Sequence, residues 1–381
     1  QNLSGFRVRD ALTKLNGYPF SKWEADEEVR LSPERLSDQW VKPACFDRIL
    51  GQASEPKTVL VFAPRGTGKT ACRILVEYYC KEGLGQGERA ETGGRVLPVL
   101  HIHHDEAIRQ SVEQQQNIDE YWHTRDILKQ AVQALTDFLK AKNDLSHRID
   151  GISAGRHSDL QWFFYAYPPT SMESLEIIKK KLGFSSIPPI DTKEVGFLRS
   201  ESKPQPLSGN MQGYLDARRH TSPIEQLYLF VDLVCSAPPQ GFGFEAIYVL
   251  LDGLDEFGFS ADLTTEHAAR LLVPLLSNLR LMNAPDMAFK CFLPAEISKD
   301  IRNSPTVRRD RLGFETITWS TQDMQEILRR RLATYGPVKE IDMLCAPELR
   351  GLERELIDVA DGNPRRMIRL CDFLLQAHLE R

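Results

Sequence analysis

One octet constrains this chain more than any other stretch: Ala63-Pro64-Arg65-Gly66-Thr67-Gly68-Lys69-Thr70. It follows a short apolar, β-rich run, Thr58-Val59-Leu60-Val61-Phe62, and precedes a helical pattern from Thr70 to about Cys80. With Ala63 in place of a first glycine, the spacing is that of a phosphate-binding loop between a buried strand and a helix. Gly66 and Gly68 let the backbone turn with its N–H groups pointing inward, where they can cradle phosphate oxygens. Lys69 is spaced to reach the β- and γ-phosphates, and Thr70 to set its hydroxyl on Mg²⁺. The helix N-terminus that follows favours an anion. Pro64, Arg65, Gly66, Thr67, Gly68, Lys69, Thr70 and Ala71 are therefore the candidate nucleotide contacts.

The rest of the chain reads as strands separated by helices, which predicts a parallel, helix-covered sheet. Val96–Ile102 is a second strand despite Pro98, Ala246–Leu251 a third, Ala288–Leu293 a fourth and Phe314–Trp319 a fifth. Helices are predicted over about 121–142, 160–166, 223–234 and 265–282. Ser320 with Asp323 has the form of a capping box, opening a helix to about Tyr335. Two more helices, about 347–360 and 364–379, close the chain without any strand signal. The expected layout is an N-terminal arm (1–50), an α/β core (51–320) with a helical insertion at about 104–240, and a helical domain (321–381). Residues 185–213 are rich in Ser, Pro and Gly and read as a long loop.

Asp252-Gly253-Leu254-Asp255-Glu256 follows the third strand. An acid at the carboxyl end of a parallel strand faces the crevice where ligands bind. Asp252 is the candidate partner of Thr70 in holding Mg²⁺. Asp255 and Glu256 are the nearest candidates for a carboxylate that orients water against a γ-phosphate.

The loop at 63–70 together with Asp252–Glu256 resembles the AAA+ and STAND superfamilies of P-loop NTPases, among them NACHT-like and origin-recognition-complex-like ATPases. Where many AAA+ proteins carry Glu directly after this Asp, Gly253 stands here, and acids return at 255 and 256. That arrangement is closer to the STAND pattern and implies slow turnover. Gly362-Asn363-Pro364-Arg365-Arg366 is similar to the lid motif of these ATPases, which implies that Arg365 or Arg366 senses the γ-phosphate. The resemblance covers about residues 45–103 and 245–381. It implies a three-layer αβα P-loop core with a five-stranded parallel sheet and a C-terminal helical lid. The activity it implies is Mg²⁺-dependent binding and hydrolysis of ATP, with Lys69, Asp255 and Glu256 catalytic. The ATP form would then drive homo-oligomerisation or engage a protein partner, in signalling or defence. Two alternatives stay open: a DNA-associated loader or a replication or transposition regulator, and a nucleotide-binding module without hydrolysis.

Weaker features have blander readings beside the functional ones. Arg302, Arg308, Arg309 and Arg311 could supply an arginine to a neighbouring subunit's site, or form a solvated basic face. His101, His103, His104 and Asp105 could ligate a metal, contact a nucleotide, or simply pack. Trp162–Tyr165 reads as a buried helix face, with base stacking as the alternative. Phe46, Ile49 and the Pro43 turn precede the first strand, where the resembled families build an adenine pocket.

Composition sets the outer bounds. The chain has 381 residues, 41% apolar and 27% charged, as a folded domain requires. Its 48 basic and 53 acidic side chains leave a net charge of −5, so a general electrostatic grip on nucleic acid is not indicated. No apolar run is long enough to span a membrane. Seven scattered cysteines, none in a C-x-x-C pair, fit a reducing, cytoplasmic setting. The chain opens on Gln1, without a leader pattern, and reads as a piece of a longer protein.

Overall fold

The computed structural model describes residues 20, 39–82, 96–102, 104, 120–141, 149–170, 221–254, 261–336, 338–344 and 350–379. Strands β1 (Val59–Ala63), β2 (Val96–His101), β3 (Ala246–Leu251), β4 (Met287–Pro294) and β5 (Gly313–Thr316) form one sheet in the order β2-β3-β4-β1-β5. Every neighbouring pair is parallel. The three inner strands are buried along their whole length. That is why they read as continuous apolar runs and not as alternating ones.

Alternation still decides which face each side chain joins. Leu60 and Phe62 enter one apolar cluster with Ile247, Val249, Leu251, Phe289 and Leu293. Helices α3 (Glu120–Ala141), α4 (Ala154–Ala166), α5 (Pro223–Cys235) and α6 (Ala261–Ser277) cover this face. Val59, Val61 and Ala63 enter the opposite cluster with Tyr248, Leu250 and Phe292, covered by α1 (Phe46–Leu50) and α2 (Lys69–Glu82). The result is helix, sheet and helix in three layers.

Differences from the sequence reading have local causes. Pro98 is tolerated because β2 is an edge strand that pairs only with β3. The predicted fifth strand shortens to Gly313–Thr316. The helix predicted over 265–282 is two: α6, then α7 (Leu279–Met282), which Asn278 caps by accepting from Leu281 N–H. Helix α5 starts on a capping box between Ser222 and Glu225, with Pro223 in its first turn. The 185–213 loop lies outside the described residues.

After β4 come α8 (Ser298–Asn303) and, beyond β5, α9 (Thr321–Tyr335), α10 (Leu352–Ala360) and α11 (Pro364–Leu379). The Ser320–Asp323 capping box opens α9 as the sequence predicts. Met324, Leu328, Ile357, Met367 and Cys371 build a third cluster, separate from the two on the sheet. No helix among the described residues is long and apolar enough to cross a membrane.

One core residue breaks the apolar rule. Lys290 on β4 is fully buried. Its ammonium donates to Lys57 O at 2.8 Å and lies 4.5 Å from the Tyr248 ring centroid. Burial pushes its pKa down to about 8. The unfolded chain, with an ordinary lysine, binds this proton more tightly between about pH 8 and 10.5, so stability rises across that window. Lys290→Met is expected to be about 1–3 kcal/mol more stable than the parent at pH 7. The gap should narrow as pH rises above 8, as read by urea midpoints.

Candidate functional site

The loop between β1 and α2 is wound as its glycines predict. Gly66 and Gly68 have φ of 86° and 93°, a region that side-chain-bearing residues rarely adopt. Thr67 closes the turn by donating from both its N–H (3.4 Å) and its Oγ1 (2.7 Å) to Pro64 O. Cys72 N–H already bonds Gly68 O at 2.9 Å, so Lys69, Thr70 and Ala71 form the first turn. Their N–H groups have no intrahelical acceptor, as in any helix start. Lys69 is buried, and its ammonium curls onto the loop, donating to Ala63 O at 3.0 Å and Pro64 O at 3.2 Å.

Asp252 reaches the same helix. It is buried at the carboxyl end of β3, and Arg73, one turn beyond Thr70, donates to its Oδ2 at 3.4 Å. Arg73 also donates to Glu77 at 3.0 Å, which orients the guanidinium between the two acids. This arginine, missed in the sequence reading, had one signal: its i,i+4 spacing to Glu77 on a predicted helix. Gly253 has φ 86°, and a β-carbon there would come within 3.3 Å of Ile102 O. A glutamate at this position would be strained. Asp255 and Glu256 themselves lie outside the described residues, as do His103 and Asp105.

The turn from α10 into α11 sits on the glycine loop between β1 and α2. Asp361 and Gly362 end α10 with left-handed φ of 51° and 66°. Asn363 Nδ2 then donates to Arg65 O at 3.0 Å, and Arg365 N–H donates to Gly66 O at 3.2 Å. A β-carbon on Gly66 would lie 2.8 Å from Asn363 Oδ1, so the glycine is needed for this approach as well. Trp319, just past β5, donates its indole N–H to Thr67 O at 2.8 Å. The loop is therefore fastened from two further directions that sequence spacing did not reveal. Arg365 is half-buried and Arg366 exposed beside it.

Two of the histidines at the end of β2, His101 and His104, are buried and hydrogen-bonded into the core. His101 Nδ1 bonds Asp126 Oδ2 at 2.7 Å, and His101 Nε2 bonds His123 Nδ1 at 3.2 Å. His123 Nε2 bonds Leu271 O at 2.7 Å. A carbonyl only accepts, so His123 carries its proton on Nε2 and offers a lone pair at Nδ1. His101 must then donate from Nε2, and one further proton lies between His101 and Asp126. Burial raises the Asp126 carboxyl, but the hydrogen bond and charge of His101 outweigh it and hold it below its ordinary value. His104 Nε2 donates to Asp252 O at 3.1 Å, tying this network to the acid at the end of β3. Among the described residues, no group of three or more His, Cys, Asp or Glu is arranged to hold a metal.

Of the remaining candidates, Arg308 pairs with Asp310 at 3.0 Å and Arg302 stacks 4.4 Å from the Phe314 ring centroid. Arg309 and Arg311 are exposed. Trp162, Phe163 and Phe164 are buried, in keeping with the core reading. Phe46 and Ile49 are packed inside the second sheet cluster under Trp40 and Tyr79.

Compared with protein-family models, curated proteins and solved structures, the chain has no significant match to any.

Burial, then the charge of His101, pushes the His123 pKa down to about 3. The unfolded state therefore binds this proton more tightly between pH 3 and about 6.5, and stability falls as pH drops through that window. Between pH 7 and 4.5 the parent should lose on the order of 1–3 kcal/mol more than His123→Gln, measured by urea unfolding at each pH.

Proposed function

We propose that this chain is an Mg²⁺-dependent ATP-binding module of the AAA+/STAND kind that hydrolyses ATP slowly to ADP and phosphate. The observation that carries the reading is the meeting of three elements at one turn. The wound glycine loop opens α2, the buried Asp252 reaches α2 through Arg73, and the start of α11 bonds directly to the loop backbone.

The residues present fit the ligands. The first-turn N–H groups of Lys69, Thr70 and Ala71, with the helix dipole, suit phosphate oxygens. Lys69 would exchange two neutral carbonyl acceptors for charged phosphates, a stronger, charge-assisted bond. Thr70 and Asp252 offer oxygen ligands, the kind Mg²⁺ takes, and Arg73 orients the Asp252 carboxylate through its contact with Oδ2. When bound, the metal would neutralise charge on the β- and γ-phosphates. Asp255 and Glu256 follow Asp252 closely enough in sequence for one of them to orient the attacking water. Arg365 and Arg366 begin the helix whose turn sits on the loop, so a γ-phosphate would reach the C-terminal helices through them. Their displacement between ATP and ADP forms is the proposed switch, read out by a protein partner or a second copy of the chain.

Calorimetric titration with Mg·ATP tests this. Lys69→Ala should weaken binding roughly 10- to 100-fold, and Asp252→Asn should abolish the dependence on Mg²⁺. Glu256→Gln should leave binding intact and slow single-turnover phosphate release by on the order of 100-fold. Full affinity in Lys69→Ala would overturn the reading.

A further inference from the structure

The outer face of α11 runs on from the proposed nucleotide contacts Arg365 and Arg366 and carries two side chains, Arg369 and Phe373, that nucleotide binding leaves unused. The helix buries Met367, Ile368, Cys371 and Leu375 in the third cluster. The opposite stripe, at helical spacing, is Arg366, Arg369, Leu370 and Phe373. Together with Arg65, Gly66, Asn363 and Arg365 it lines a groove of about 550 Å³. Four arginines from two separate parts of the chain thus line it. The acid of this helix segment, Asp372, is buried and accepts from Gln376 Nε2 at 2.8 Å. Phe373 is 62% exposed, the most open large apolar side chain among the described residues. A lone exposed aromatic means little. A phenyl ring standing among arginines, two helical turns (about 10 Å) from Arg366, is a different arrangement.

We infer that this groove binds a single strand of nucleic acid, with Arg65, Arg366 and Arg369 on its phosphates and Phe373 stacked on a base. Guanidinium forks match phosphate oxygens bidentately. An aromatic face among cations is the platform on which unpaired bases stack, and it is indifferent to sequence. A duplex hides its base faces and would leave Phe373 without a partner. The net charge of −5 argues against general attraction to nucleic acid, not against a local basic groove. The far end of the groove, Arg369 and Phe373, plays no part in the proposed nucleotide site, so the two sites can be tested apart.

Fluorescence anisotropy with a short fluorescein-labelled oligo-dT strand is the test. Binding should weaken with salt, log K falling with log[salt] at a slope of roughly −2 to −3 for three or four phosphates. Phe373→Ala should weaken binding about 5- to 100-fold. Arg369→Glu should weaken it and flatten the salt slope, and Arg369→Lys should restore part of both. Both positions are exposed, and unchanged thermal unfolding and Mg·ATP affinity in these variants would confine the effect to the groove. Unchanged oligo-dT affinity in Phe373→Ala and Arg369→Glu would overturn the inference. So would equal affinity for duplex, or equal competition by poly-glutamate, which would assign the groove to an acidic protein. If the parent bound oligo-dT but no ATP, the nucleotide reading would fail and this one would stand.

Discussion

Everything near the candidate site depends on one backbone turn. Between Ala63 and Lys69 the chain leaves a fully buried strand and enters a helix, passing through two left-handed glycines. That shape costs ordinary residues on the order of 1 kcal/mol or more per position. It persists because neighbours fasten it: Thr67 from within, Trp319 from the end of β5, and Asn363 and Arg365 from the start of α11. The sheet order brings these pieces together. β1 lies between β4 and β5, so the segment leaving β5 passes directly beside the loop that leaves β1. The start of α11 is thereby coupled to the turn by one backbone bond, Arg365 N–H to Gly66 O, and one side-chain bond, Asn363 Nδ2 to Arg65 O.

Two constraints meet at Gly66. Its φ requires a residue without a β-carbon, and so does the closeness of Asn363. A movement of α11 away from the loop would release the second constraint but not the first. The loop can thus keep its winding while its partner shifts, which is the mechanical property a nucleotide-linked switch needs. Gly253 is the parallel case beside Asp252, where a positive φ and the closeness of Ile102 O both disfavour a β-carbon.

Much of this was legible in the sequence because it rests on periodicity and punctuation. Buried parallel strands announce themselves as short apolar runs, and β1, β3 and β4 did so. The box at Ser320 and Asp323 and the Pro364 start of α11 were readable as local chemistry. The phosphate-loop pattern placed Gly66 and Gly68 where the backbone needs them. What stayed hidden was long-range. Arg73 and Asp252 lie 179 positions apart, and Trp319 and Thr67 lie 252 apart. The histidines showed as a cluster, yet the partners of His101, Asp126 and His123, come from helix α3, so metal ligation could not be told from proton sharing. The burial of Lys290 inside the fourth strand rests on the carbonyl of Lys57 and the ring of Tyr248, the latter brought in from β3.

The central claim is that a triphosphate sits in the turn at residues 64–71. Amide hydrogen exchange, followed by mass spectrometry with and without saturating Mg·ATP, tests where the nucleotide goes. Peptides covering 64–72 should exchange more slowly with nucleotide, and those covering 362–366 should change as well. Unchanged exchange across the loop, under conditions where calorimetry registers bound ATP, would place the nucleotide elsewhere and contradict the account.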